Sequence, residues 1–369
     1  MSKSEMTKEG NGVPDPSLHM PVRPVPHKRH PRKTSSEERN AAIEAFLDTF
    51  ADVEDRDLLA EMIVTVCRLA RDGCGRGELK IINSAMKELR YAFKVFEPYS
   101  EIRKVTIFGS ARTKADEPAF KAAAQFAARL SKKNWMVITG AGGGIMHAGH
   151  GGAGRKKSFG VAIRLPFEQT ANEVIAEDSK LVTFKYFFTR KLMFVKEASA
   201  IALFPGGFGT QDECFESVTL VQTGKAEPIP VVMIDPPGGR YWPHWSEYVR
   251  EQLLKNGMIN PEDFNLFKVT DSVDEAVQEV LHFYRVYHSS RYVRDQFVMR
   301  LNRPISAKLL DRLPGEFGDL LVDGGFEQTS GALEEENGEY PDLPRLVFAF
   351  NRQSPARLRC LVDVINNDE

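Results

Sequence analysis

Residues 198–213 read "ASAIALFPGGFGTQDE". A short, almost unbroken apolar run is followed by a proline, three glycines and a threonine, and then by a polar segment compatible with a helix. Such a run marks a strand covered on both faces. Glycines directly after a buried strand leave successive backbone N–H groups open, and a threonine at the start of the next helix adds a hydroxyl. Gly206, Gly207, Gly209 and Thr210 therefore form a nest suited to a phosphate. Glu213 follows within reach of the same cavity. A carboxylate is repelled by a neighbouring phosphate, so its presence points to chemistry beside the phosphate rather than to more phosphate binding.

Working outward, "KVTIF", "WMVIT", "FGVAI", "LVTF" and "IPVVMI" are runs of the same kind between Lys104 and Asp235, separated by glycine loops or segments of helical period. Continuous apolarity with intervening helices predicts a doubly wound, Rossmann-like parallel sheet in an α/β fold. Ligands bind such sheets beyond the carboxyl ends of the strands, where each glycine-rich loop falls. Upstream, "NAAIEAFLDTF", "RDLLAEMIVTVCRLA" and "ELKIINSAMKELRYAFKVF" repeat apolar residues at helical steps and predict an N-terminal helical layer. Downstream, two further helices over "YWPHWSEYVREQLLKNG" and "DSVDEAVQEVLHFYRVYHS" close the core, and a small C-terminal α+β appendage mixes strands over "RYVRDQFVMRL" and "RLVFAF" with helices such as "SAKLLDRL" and "SPARLRCLVDVI", joined through the acidic loop "GALEEENGEYPD". The expected organisation is a disordered tail over 1–36, a helical region over 37–98, the catalytic α/β domain over 99–290 and the appendage over 291–369.

The bulk composition narrows the function classes. With 49 basic and 51 acidic residues the formal net charge is −2, so no global field draws the chain to nucleic acid or a membrane surface. Any anion site must be local. The four cysteines, Cys67, Cys74, Cys214 and Cys360, form no CxxC pair, which argues against a zinc site or a disulfide scaffold and for a cytoplasmic setting. No apolar run has the length of a membrane span, and "MSKSEMTKEGNG" lacks the apolar core of a signal peptide.

Three other stretches carry candidate residues. "FGSART" places Gly109, Ser110 and Arg112 after the first strand, where they serve either a structural turn or a phosphate contact. "TGAGGGIMHAGHGGAG" holds eight of the 28 glycines, among them Gly143 and Gly144, and offers helix-start amides to an anion. No acidic residue follows at the position that a dinucleotide-binding unit requires, which disfavours NAD. His147 and His150 lack a third ligand nearby and read as surface or supporting histidines rather than metal ligands. In "RLPFEQTANEV", Glu168 and Asn172 lie at the ligand end of the sheet, as sugar or base contacts or as members of a capped loop. In "FKYFFTRKLMFVKE", Arg190 and Lys191 interrupt an apolar, aromatic segment, so a buried cation there needs an anion: Glu213, Asp212 or a ligand phosphate.

The PGGxGTxxE motif at Pro205–Glu213, the pair Arg190–Lys191, "GSAR", "GIM" at Gly144–Met146 and "LPFEQ" at Leu165 resemble the Lonely Guy phosphoribohydrolases, often mislabelled lysine decarboxylases. The resemblance covers about Lys104 to Asp235. It implies hydrolysis of the N-glycosidic bond of nucleoside 5'-monophosphates without a cofactor or metal, giving free base and ribose 5-phosphate. It also implies Arg190 and Glu213 as the catalytic pair and Gly206, Gly207, Gly209 and Thr210 as the phosphate cradle. Gly109, Ser110, Gly143, Gly144, Glu168, Lys191, Asp212 and Thr219 become further substrate or phosphate contacts. A homodimer or larger homo-oligomer completes the site in this family. His147 stands where many relatives carry glutamate.

Two other classes compete. The same sheet and loops could hold a mononucleotide without cleaving it, as a sensor or carrier, though such a protein needs no carboxylate beside the phosphate. A pyridoxal-dependent decarboxylase would need a Schiff-base lysine in a recognisable setting, and none is evident.

Overall fold

The computed structural model describes residues 36–50, 55–166, 170–336 and 338–368. The expected disordered tail falls outside them, except for Ser36, which opens the first helix. The chain divides into two compact units, 1–83 and 84–369. The first holds α1 (Ser36–Leu47), α2 (Arg56–Arg71) and the first half of α3 (Arg76–Phe96). Arg56, at the start of α2, bridges Glu44 (2.8 Å) and Asp48 of α1. Helix α2 stops before Gly73, whose φ of 75° suits a residue without a Cβ. Cys67 is exposed and Cys74 half-buried.

The second unit is built on seven parallel strands, β1 (Lys104–Phe108), β2 (Met136–Thr139), β3 (Ser158–Ile163), β4 (Leu181–Phe184), β5 (Ala200–Leu203), β6 (Val231–Ile234) and β7 (Phe267–Thr270), in the order β4-β3-β2-β1-β5-β6-β7. Their connections include α4 (Pro118–Lys132), α5 (Ile145–Ala153), α6 (Phe187–Lys196), α7 (Phe208–Gln222) and α8 (Tyr241–Tyr248), which continues as a π-helical segment over Val249–Leu254; α9 (Val273–Phe283) follows the last strand. The central strands are buried throughout their length because both faces are covered. Alternate residues feed two cores. Val105, Ile107, Ala202, Val232 and Ile234 pack with α4, α5 and α9, whereas Phe108, Ile201, Leu203 and Met233 pack with α6, α7, α8 and the end of α3.

The sequence reading anticipated six strands. The seventh, β7, is an edge strand with an exposed Lys268 and lacks the unbroken apolarity of the others. The expected helix "DSVDEAVQEVLHFYRVYHS" ends at Phe283, and Tyr287 already begins β8 (Tyr287–Val293). With β9 (Gln296–Leu301), β10 (Glu327–Thr329) and β11 (Arg345–Phe348), it forms an antiparallel sheet in the order β10-β11-β9-β8. This sheet shares its own core with α10 (Ala307–Phe317) and α11 (Pro355–Asn366). The acidic loop is tied inward at one point: Glu336 is fully buried between Arg345 (2.9 Å) and Arg300 (2.8 Å). Paired this way, the carboxylate avoids the cost of a lone buried charge.

In the seven-stranded sheet the chain first proceeds from β1 to β4 on one side, then returns to β5 on the other side of β1. The loops leaving β1 and β5 therefore diverge and open a crevice at the carboxyl ends of the strands. The quoted glycine stretch lies in that crevice.

Candidate active site

Three loops meet at the crevice backbone to backbone. The Ser110 amide donates to the Pro205 carbonyl (3.1 Å), and the Ile145 amide donates to the Ser110 carbonyl (3.0 Å). The glycines divide by what surrounds them. A Cβ on Gly206 would lie 2.1 Å from Thr210 Oγ1 and 2.9 Å from the Ser110 amide nitrogen. Gly144 caps α5 at φ 59°, where a Cβ would come within 2.2 Å of the Ser110 carbonyl oxygen. Both allow loops to touch that no other residue would permit. Gly207 and Gly209 instead face open space and are exposed. Helix α7 begins at Phe208, so these glycines flank its N-terminus and leave its first amides toward the crevice. Tyr241 braces the turn by donating its hydroxyl to the Gly206 carbonyl (2.6 Å).

Thr210 is buried in the first turn of α7, and Glu213 lies in the second turn rather than the first. Glu213 is 6% exposed, and its Oε2 is buried without a hydrogen-bond partner. Burial pushes its carboxyl up to about 7, with Glu216 and Asp212 adding to the rise and Lys191 and Arg190 opposing it. A carboxyl poised near neutrality can hold or release a proton with little cost in the working pH range.

Arg190, on α6, is half-buried and donates Nε–H to the Val161 carbonyl at 2.8 Å. Its guanidinium lies 4.9 Å from the Phe194 ring centre and presses on Gly140, where a Cβ would come within 2.5 Å of Nη2. Burial lowers its pKa to about 10, with Glu213 pulling the other way, so it keeps its charge at neutral pH. Lys191 turns toward α7 instead, bonding Asp212 (2.7 Å) and Glu216 (2.9 Å). Burial opposes its charge, but the two carboxylates outweigh that and raise its pKa. Lys191 thus ties the helix that carries Arg190 to the helix that carries Glu213.

The remaining candidates are spread out. Gly109 packs against Ile145, and Ser110 accepts from the Arg112 amide (3.1 Å) while Arg112 itself is exposed. Gly143 is exposed on the second loop. Thr219 lies six residues beyond Glu213 on an exposed part of α7, and the structure does not bring it to the crevice. Glu168 lies outside the described residues. His147 pairs with Glu173 at 3.1 Å.

Sequence reasoning gave little weight to the support beneath the second loop. His150 is fully buried, not a surface residue, and its ring contacts Thr139 Oγ1 (3.0 Å), the Phe159 carbonyl (3.0 Å) and the Asn172 side chain. Burial lowers its pKa and keeps the ring neutral. Asn172 is also buried and donates Nδ2–H to the carbonyls of Ala141 (3.1 Å) and Gly142 (2.9 Å). Ala141 sits at φ 62°, an uncommon conformation for a residue with a Cβ, and this polar clamp holds it there. Asn172 is therefore a brace for the loop facing Arg190. Only the three-residue spacing of His147 and His150 hinted at the clamp in sequence. Among the described residues, no group of three or more His, Cys, Asp or Glu is placed to hold a metal ion, and no helix is long and apolar enough to cross a membrane.

Comparison with known proteins adds an independent line. The family described as "possible lysine decarboxylase" matches residues 143–280. A cytokinin riboside 5'-monophosphate phosphoribohydrolase of Mycobacterium tuberculosis (strain ATCC 25618 / H37Rv) is 26% identical over 160 residues, covering 42% of this chain and 82% of that protein. Among solved structures, TM1055 is 20% identical over 48% of this chain and 97% of its own, with a TM-score of 0.35. A molybdenum cofactor carrier protein of Chlamydomonas reinhardtii is 17% identical over 49% of this chain and 96% of its own, also at 0.35. The matched span 143–280 lies within the parallel-sheet unit and contains the PGGxGTxxE loop and the paired arginine and lysine, so this part of the chain is similar to that family.

Proposed function

We propose that the chain is a phosphoribohydrolase that cleaves the N-glycosidic bond of AMP-like or cytokinin riboside 5'-monophosphates, releasing the free base and ribose 5-phosphate. The observation that carries this reading is the placement of Glu213, a buried carboxyl held near 7, with no hydrogen-bond partner at Oε2, one turn behind an open glycine nest. The 5'-phosphate would sit at the amides of Gly207, Gly209 and Thr210 at the N-terminus of α7. That anchor brings the sugar over Glu213.

As the C1'–N bond breaks, its electron pair leaves with the base and positive charge develops on the ribose. Ionised Glu213 stabilises that charge and takes a proton from the attacking water, whose oxygen bonds to C1'. Arg190 offsets the charge on the departing base, which takes its proton from solvent as it leaves. Removing either side chain is expected to reduce turnover on the order of 10²-fold or more. The relative from Mycobacterium tuberculosis, named for this reaction, supports the assignment.

A second copy of the chain would complete the site. Phe187 of α6 and Phe208 and Phe215 of α7 are exposed large apolar side chains on the two helices of the proposed catalytic pair, and Phe208 is 96% exposed. Such a face is characteristic of an interface. Sedimentation of the full chain at micromolar concentration should give at least a dimer, and a single-chain mass would contradict this.

The reaction itself is tested with a panel of AMP, GMP, CMP and isopentenyladenosine monophosphate, each beside its nucleoside. Base release from at least one monophosphate, with the matching nucleoside inert, supports the proposal. Stoichiometric binding of a monophosphate without release of base would identify a carrier instead.

A further inference from the structure

One cavity of the second unit lies away from the crevice. A pocket of about 650 Å³ opens beside Arg103, Ser199 and Pro228, the residues just before β1, β5 and β6, and so lies toward the amino ends of the strands. Its side walls are α6, through Leu192, and α7, through Leu220; the start of β8 closes it with Tyr287 and His288. The volume falls in the range of small-molecule sites, roughly 300–1,000 Å³.

The lining has two chemical ends. Arg103 is pre-positioned: its guanidinium stacks 3.5 Å from the Tyr284 ring centre and donates to the His288 carbonyl (3.1 Å). A guanidinium has five N–H donors in a fixed fork, so most remain for a ligand. Lys225 stands exposed on the same lining. The Lys191–Glu216 pair that also lines the pocket is already neutralised internally. Against these cations stand Glu101 and Glu227, the latter accepting from the Ser290 amide (3.3 Å). The exposed rings of Tyr340 and Phe188 supply flat apolar surface. Burial first, and then Arg103, Arg300 and Arg345, hold the His288 imidazole down to about 4, so it lines the pocket as a neutral ring.

A simple anion would be repelled by the two glutamates, and a simple cation by Arg103 and Lys225. A nucleotide satisfies both ends: phosphate oxygens accept from Arg103 and Lys225, ring amino and ribose hydroxyl groups donate to Glu101 and Glu227, and the base stacks on the exposed rings of Phe188 and Tyr340. We infer that this pocket is a second nucleotide site, separate from the crevice at the carboxyl ends of the strands and lined by Arg103, Lys225, Glu227 and Tyr284.

The test is photolabelling of the full-length protein with 8-azido-ATP, followed by peptide mapping. Label in the segments 225–229 or 284–292, reduced about tenfold in Lys225→Glu and competed by unmodified ATP, is the expected result. Lys225 is exposed, so this variant should fold, and circular dichroism matching the wild type checks that it does. Label confined to 109–113, 140–146 or 204–213 would mean that ATP enters only the crevice and would overturn the inference. So would labelling unaffected by Lys225→Glu, or no labelling above background, as expected if a second copy of the chain fills the groove.

Discussion

Replacing Glu213 with glutamine should make the protein more stable at alkaline pH than at acid pH relative to the wild type. The carboxyl has an ordinary value of 4.5 and is pushed to about 7 in the folded chain. Between these values the folded state holds a proton that the unfolded state has released, so wild-type stability falls as pH rises through this window and stays lowered above it. Linkage between the two values gives a cost of about 1 kcal/mol at pH 5 and about 3 kcal/mol at pH 8. Glutamine keeps the shape and never ionises. Its amide, buried where Oε2 has no partner, carries a penalty that does not depend on pH. The difference in stability between Glu213→Gln and wild type should therefore move in favour of the variant by about 2.5 kcal/mol from pH 5 to pH 8. Urea unfolding of both proteins at the two pH values, at one fixed protein concentration, measures it, because other titrating groups cancel in the double difference. A difference that stays constant within about 0.5 kcal/mol would show that Glu213 is not held protonated by burial, and the reasoning about its role would fail with it.

The same carboxyl should set the acid limb of activity: log kcat/KM for a 5'-monophosphate should fall with unit slope below about pH 7, and a flat profile down to pH 5 would exclude Glu213 as the base. Gly206→Ala should lose on the order of 1–3 kcal/mol of stability through its collision with Thr210 and Ser110, while Gly207→Ala should unfold like the wild type but raise KM; equal behaviour in urea would remove the distinction drawn between the two glycines. Asn172→Ala strips partners from His150 and from two loop carbonyls, with an expected cost of about 1–3 kcal/mol and a lowered kcat, whereas Asn172→Asp, which keeps an acceptor but no donor for the carbonyls, should not restore the loop. Recovery of wild-type kinetics in Asn172→Asp would show that the carbonyl bonds are idle.

How far the fold could be read from sequence depended on where burial is two-sided. Strands β1, β5 and β6 are unbroken apolar runs because helices cover both faces, and such runs stand out by composition. Strand β7 is half-exposed at the sheet edge, and "FKVT" carries no such mark. The end of β8 and all of β9 lie in "RYVRDQFVMRL", which reads as strand, but the start of β8 was hidden because the helical period of α9 runs on in "YRVYHS" until a tertiary partner, the β9 strand, claims it. At the site, the glycine stretch and its acid lie together in sequence, so their shared place at the head of α7 was legible. The partners of Lys191, the inward turn of Asn172 and the close approach of Gly206 to Ser110 are set by segments 20 to 100 residues away. Spacing along one chain holds no record of such contacts.

The central claim is that Glu213 cuts the bond between sugar and base while the loop before it holds the phosphate. The most direct measurement incubates AMP with the full-length protein and with Glu213→Gln, and quantifies adenine and ribose 5-phosphate over time. Equimolar adenine and ribose 5-phosphate from the wild type, with release slowed on the order of 10²-fold or more in the variant, is the predicted result. Undiminished release by a folded Glu213→Gln protein would contradict it.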